Sequence, residues 1–163
     1  MLYIVRQAES YFNRYGVEEP DPDLTYIGRR QATKLGEELK GIEFGSIFCS
    51  PLRGALQTLM CAKLLGGNFR VSDLLREKRE SHCDFKPDEQ HIIESEMEVQ
   101  ARCKIFFDVL RNSLPNEKIL IITHSGFIKE FFKMLGLVPR LVENCEVIKI
   151  PWNVSTVFEH IDN

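Results

Sequence analysis

Residues 118–132 read KILIITHSGFIKEFF. Four consecutive apolar residues, 119–122, fit a strand buried on both faces, and Thr123-His124-Ser125-Gly126 ends it just as a helical pattern begins. A strand that runs straight into a helix is the repeating unit of an α/β fold, and such folds keep ligand-binding groups at the strand's C-terminal end. The first turn of the helix leaves backbone N–H groups that favour an anion, and Gly126 allows close approach. His124 stands where an imidazole can donate to that anion.

The same arrangement recurs along the chain. MLYIVRQAES, residues 1–10, is a short apolar run that ends in Arg6-Gln7. SIFCS, residues 46–50, leads through Pro51 and Arg53 into LRGALQTLMCAKLLGG, a helix expected to end at Gly66 and Gly67. Between these two strands lie a polar loop over 11–23 and a helix capped by Thr25, with Ile27, Leu35 and Leu39 as core positions and Gly41 as its stop. A short strand is expected at 69–71, inside a charge-dense stretch over 68–93 that reads as an irregular excursion. A long amphipathic helix follows over 95–114, with Met97, Val99, Phe106, Val109 and Leu110 facing inward. EVIKI and VSTVFEH are expected as two late strands. The alternation predicts a largely parallel sheet covered on both faces, in one domain spanning 1–163.

A net charge of −3 gives no reason to expect general affinity for nucleic acid or a membrane surface. No apolar run is long enough to span a bilayer, and no signal-like segment precedes the first strand. Five cysteines, Cys49, Cys61, Cys83, Cys103 and Cys145, include no CxxC pair. Buried thiols and a reducing, cytoplasmic-type compartment are therefore expected. His82-Cys83-Asp84 contains metal-ligand residue types, but no second cluster has suitable spacing, so no metal and no cofactor is expected. His91 and His160 have no partner discernible in the sequence.

LYIVRQAESYFN, LTYIGRRQATKLG, IFCSPLRGALQT, LLRE and ILIITHSGFIK together resemble, in order and spacing, the histidine phosphatase superfamily, the phosphoglycerate mutase-like proteins. The resemblance implies a three-layer αβα sandwich with a mostly parallel central sheet and a phosphate pocket at the sheet's C-terminal rim. It also implies that a histidine after the first strand attacks phosphorus, that an acidic residue protonates the leaving group, and that two arginines and a second histidine hold the phosphoryl oxygens. Position by position, Arg6 matches the first arginine, His124 the second histidine, and Asn13 the asparagine after the opening motif. Ser125 and Gly126 fall at the anion-binding helix start, and Glu77 matches the proton donor, with Glu80 as its rival.

Two family positions carry other residues. Gln7 stands at the nucleophile's place, beside Ala8, and Gly54 stands where the second arginine would directly precede Ala55. Arg53 lies one residue earlier and is carried as a further phosphate-binding candidate. A helix rotates it by about 100°, so it reaches the pocket only if its long side chain folds back. A carboxamide nitrogen shares its lone pair with the carbonyl, so it donates hydrogen bonds but does not attack phosphorus as an imidazole does. The leading expectation is a pseudophosphatase that binds phosphate or a phosphorylated small molecule or protein without phosphohistidine turnover. The alternatives are an active phosphomonoester phosphatase using a non-standard route, and a protein-interaction module with a vestigial pocket. Cys49 lacks the spacing of a Cys-x5-Arg phosphate loop and reads as a core thiol.

Overall fold

The computed structural model describes residues 1–113 and 116–151. In chain order the elements are β1 (Leu2–Arg6), α1 (Tyr11–Tyr15), α2 (Tyr26–Glu38), β2 (Ser46–Cys49), α3 (Arg53–Ala62), β3 (Asn68–Val71), α4 (Glu96–Ser113), β4 (Ile119–Thr123), α5 (Ser125–Met134) and β5 (Val147–Ile150). Single 3-10 turns at Asp73–Leu75 and His82–Asp84 punctuate the stretch between β3 and α4. The five strands lie in the order β3-β2-β4-β1-β5, all parallel except β5, which runs antiparallel to β1.

Alternation along the strands divides the core into two layers. Leu2, Ile4, Phe48, Ile119 and Ile121 face Val99, Phe106 and Leu110 of α4 and Phe127 and Phe131 of α5. Tyr3, Val5, Ile47, Leu120 and Ile122 face Leu35 and Leu39 at the end of α2 and Ala55 and Leu59 of α3. The result is the three-layer αβα sandwich that the family resemblance implied. Among the described residues no helix is long and apolar enough to cross a membrane.

Several expected core positions lie off the buried stripe. α2 buries Gly28, Ala32 and Leu35, so Ile27, one residue out of phase, is exposed. α4 buries Val99, Cys103, Phe106 and Leu110 at helical spacing, which leaves Met97 and Val109 outside. α3 stops at Ala62, before the glycine pair, because Lys63 adopts a left-handed conformation and its N–H returns to the carbonyls of the last turn. EVIKI supplies β5, whereas VSTVFEH lies outside the described residues.

The charge-dense excursion is ordered by its own ion pairs. Arg76, 3% exposed, donates both terminal nitrogens to Glu89, each at 2.6 Å. Arg102 of α4 donates to both Glu94 oxygens and to the Leu74 and Arg76 carbonyls. The Arg76 guanidinium holds the Glu89 carboxyl down at about 2. Removing Glu89 strands a buried guanidinium, a defect costing about 1–3 kcal/mol. Glu89→Ala should therefore lower the melting temperature by roughly 3–10 °C, given about 2–4 °C per kcal/mol for a chain of this size. An unchanged melting curve would show that the pair does not anchor the excursion.

Candidate functional site at the C-terminal rim of the sheet

The parallel ladders fix where the strand ends fall. Arg6 pairs with Thr123 and Cys49 with Ile122, and the ladder continues through Gln7 N–H to the Thr123 carbonyl and Ser50 N–H to the Ile122 carbonyl. Arg6, Gln7, Ser50 and His124 therefore emerge side by side. They open into a cleft of about 190 Å³ that Arg6, Gln7 and His124 line together with Asn13, Gly54, Glu77 and Ser125. That volume is smaller than a typical drug-sized pocket and suits a small polar group.

His124 is buried, and its Nε2 lies 2.8 Å from Ser50 Oγ. Burial, reinforced by the positive charges of Arg102, Arg6 and Arg76, pushes its pKa down to about 3. The imidazole is thus neutral at physiological pH and serves as a dipolar donor or acceptor, not as a cation. Arg6 is held in place by donation from Nη1 to the Val142 carbonyl at 2.7 Å. Asn13 spends its Oδ1 on the N-cap of α1, accepting from Ser10 N–H at 3.0 Å and Ser10 Oγ at 3.1 Å. Its amide NH₂ is the donor left for a ligand.

Gln7 and Gly54 are in contact. A Cβ at position 54 would overlap the Gln7 carboxamide oxygen, so Gln7 lies over the first turn of α3 in the space next to the missing side chain. Ala8 is fully buried, and its N–H donates to Thr58 Oγ1, which in turn donates to the Gly54 carbonyl at 2.7 Å. Arg53, expected as a phosphate contact, is not part of the cleft. Its guanidinium turns outward to Asp23 at 2.8 Å with half its side chain exposed, as the rotation by one helical residue requires.

The start of α5 is already engaged by a carboxyl group of the chain itself. Glu77 Oε2 accepts from Gly126 N–H at 3.2 Å and Ser125 Oγ at 3.3 Å, and a Cβ on Gly126 would overlap this carboxylate. The seat that the sequence offers to phosphate is therefore occupied, in part, by the chain's own Glu77. Burial raises the Glu77 pKa despite these hydrogen bonds. Glu80 lies outside the cleft, exposed and paired with Lys78. Of the two candidates, Glu77 lines the cleft and Glu80 does not.

Two cleft residues are not evident from sequence reasoning. Asp21, buried and in a left-handed conformation (φ 46°), accepts the Arg53 N–H at 2.7 Å and so caps α3. Asp84 accepts the Glu80 and Ser81 N–H groups and closes the far wall. Burial pushes both carboxyls up. The available signals were Asp21 between two prolines and the Ser81-to-Asp84 capping spacing. With Glu77 they set three carboxyls around a cleft in which Arg6 is the one lining arginine among the described residues.

The sequence profile of the histidine phosphatase superfamily, branch 1, matches residues 2–82 and 72–155. The chain belongs to this superfamily. A Schizosaccharomyces pombe protein named probable phosphatase is 25% identical over 92% of this chain, which spans only 61% of that protein's length. A Hydrogenobacter thermophilus protein provisionally named phosphoserine phosphatase 2 is 28% identical, with 99% and 85% covered. Among solved structures, Bacillus stearothermophilus YhfR superposes with a TM-score of 0.75 at 20% identity, covering 90% of this chain and 88% of that one. A mutant of Entamoeba histolytica phosphoserine phosphatase, histidine changed to alanine, was solved with phosphoserine. It superposes at 0.68, with 20% identity and 90% and 87% covered.

A neutral His124 has a consequence for pH. The unfolded imidazole titrates near 6.5 and the folded one near 3, so between those values the unfolded chain binds the extra proton. Stability is full above 6.5 and falls as pH drops through that window, by on the order of a few kcal/mol. Chemical denaturation of wild type and His124→Asn at pH 7 and pH 4 should show this decline in wild type and a smaller one in the variant. Equal declines would mean that His124 is not held neutral.

Proposed function

We propose that the chain binds a phosphate monoester in the Arg6–His124 cleft and does not form a phosphohistidine by the superfamily's route. The observation that carries this reading is the contact between Gln7 and Gly54, the two positions whose family side chains are replaced. The Gln7 carboxamide stands where a Cβ on residue 54 would lie, so the two replaced positions meet at one corner of the pocket. At that corner the nucleophile's imidazole is a carboxamide, which donates without attacking. The second guanidinium is absent, and Arg53 does not stand in for it because it is engaged with Asp23. A missing donor to transferring-phosphoryl charge commonly costs about 10²–10³ in rate.

Binding remains chemically reasonable. Arg6, the Asn13 and Gln7 amides and the neutral His124 supply donors, while Asp21, Glu77 and Asp84 oppose a dianion. A monoanionic, weakly held phosphate ester is the expected ligand, and binding should tighten as pH falls towards the second phosphate pKa of about 6. That the Entamoeba enzyme's histidine-to-alanine mutant carries phosphoserine is consistent with retained binding after loss of a histidine. One observation favours the rival reading of residual turnover: Glu77, with its raised pKa, keeps the position of a proton donor.

The discriminating experiment is a phosphomonoester panel run on wild type, Gln7→His, Gly54→Arg and the double variant. Wild type should release no phosphate above background, and Gly54→Arg alone should stay silent because nothing attacks. The double variant should turn over about a hundredfold or more faster than Gln7→His alone, the size of the missing electrostatic contribution. Wild-type turnover abolished by His124→Ala would overturn the proposal.

A further inference from the structure

The excursion that walls the cleft carries a second arrangement of side chains. His82 and His91, both exposed, place their Nδ1 atoms 3.4 Å apart, with ring centroids at 4.6 Å and ring planes at 71°. The His91 ring is oriented by a neighbour, and His82 is placed by its turn. Phe85, buried, stacks on His91 at 4.4 Å and 23°. His82 opens the 3-10 turn whose Ser81 and Asp84 cap one another. At 3.4 Å an N–H···N contact between the rings lies beyond the usual 2.7–3.2 Å range and is weak. The same separation matches another bond. Two nitrogens bound to one Zn²⁺ at about 2.0–2.1 Å with a tetrahedral angle stand about 3.4 Å apart.

We propose that His82 and His91 form a two-imidazole site for a borderline divalent transition cation of the Zn²⁺ class, bound through both Nδ1 atoms. Among the described residues no group of three His, Cys, Asp or Glu side chains could hold a metal, so water completes the coordination. Imidazole pairs favour Zn²⁺, Ni²⁺ and Cu²⁺ over Mg²⁺ and Ca²⁺, which want oxygen ligands. The site joins the two ends of the loop over 82–91, from which Cys83 and Asp84 reach the cleft. A bound cation would tie that loop without entering the cleft.

The test is calorimetric titration of metal-free, untagged protein with ZnCl₂, alongside His82→Ala, His91→Ala and Cys83→Ser. Both histidines are exposed, so their variants should keep the wild-type melting temperature in chelator, which is checked first. Wild type and Cys83→Ser should bind one equivalent, either histidine variant should lose about tenfold or more in affinity, and MgCl₂ should give no heat. No Zn²⁺ binding by wild type, or unchanged affinity in both histidine variants, would overturn the site.

Discussion

The register of three parallel strands is the constraint on which the site depends. Because Arg6 lies opposite Thr123 and Cys49 opposite Ile122, the residues that follow each strand leave the sheet at one level. Slipping any strand by one residue would invert its faces, burying the wrong side chains and separating Arg6 from His124. The two apolar layers hold that register, with α4 and α5 on one side and α2 and α3 on the other. Core packing and site geometry are thus consequences of the same ladder.

At the rim the electrostatics differ from what a phosphate pocket ordinarily needs. α3 is capped by Asp21 and α5 by Glu77, so both long helices that start at the cleft already carry an internal carboxylate. Arg6 is the guanidinium left to face a ligand, and His124 contributes a neutral ring. Binding and turnover place different demands on such a site. Holding a phosphate needs donors, which survive. Transferring one needs a nucleophile and concentrated positive charge, and on the proposed reading the Gln7–Gly54 corner supplies neither.

Much of this was legible in the sequence, for physical reasons. Buried parallel strands read as unbroken apolar runs, so β1, β2 and β4 and the residues ending them stood out. Arg53, a phosphate-binding candidate in the sequence, instead lies outside the cleft and pairs with Asp23, one helical residue out of phase. Other features depend on tertiary contacts that periodicity does not encode. Ile27, Met97 and Val109 look like core residues, yet the helix phase is set by which stripe packs best. Asp21 and Asp84 act through backbone N–H groups distant in sequence or hidden in a turn, and the Arg102–Glu94 pair joins the excursion to α4. His91 gave no sign of a partner because His82 meets it through a loop.

The central claim is binding without turnover, and ³¹P NMR of phosphoserine mixed with the wild-type protein tests it most directly. The account predicts a broadened or shifted phosphoserine resonance that returns to its free position on adding excess inorganic phosphate and that is lost in Arg6→Ala, with no inorganic phosphate signal growing in. Steady growth of that signal, abolished in His124→Ala, would contradict it.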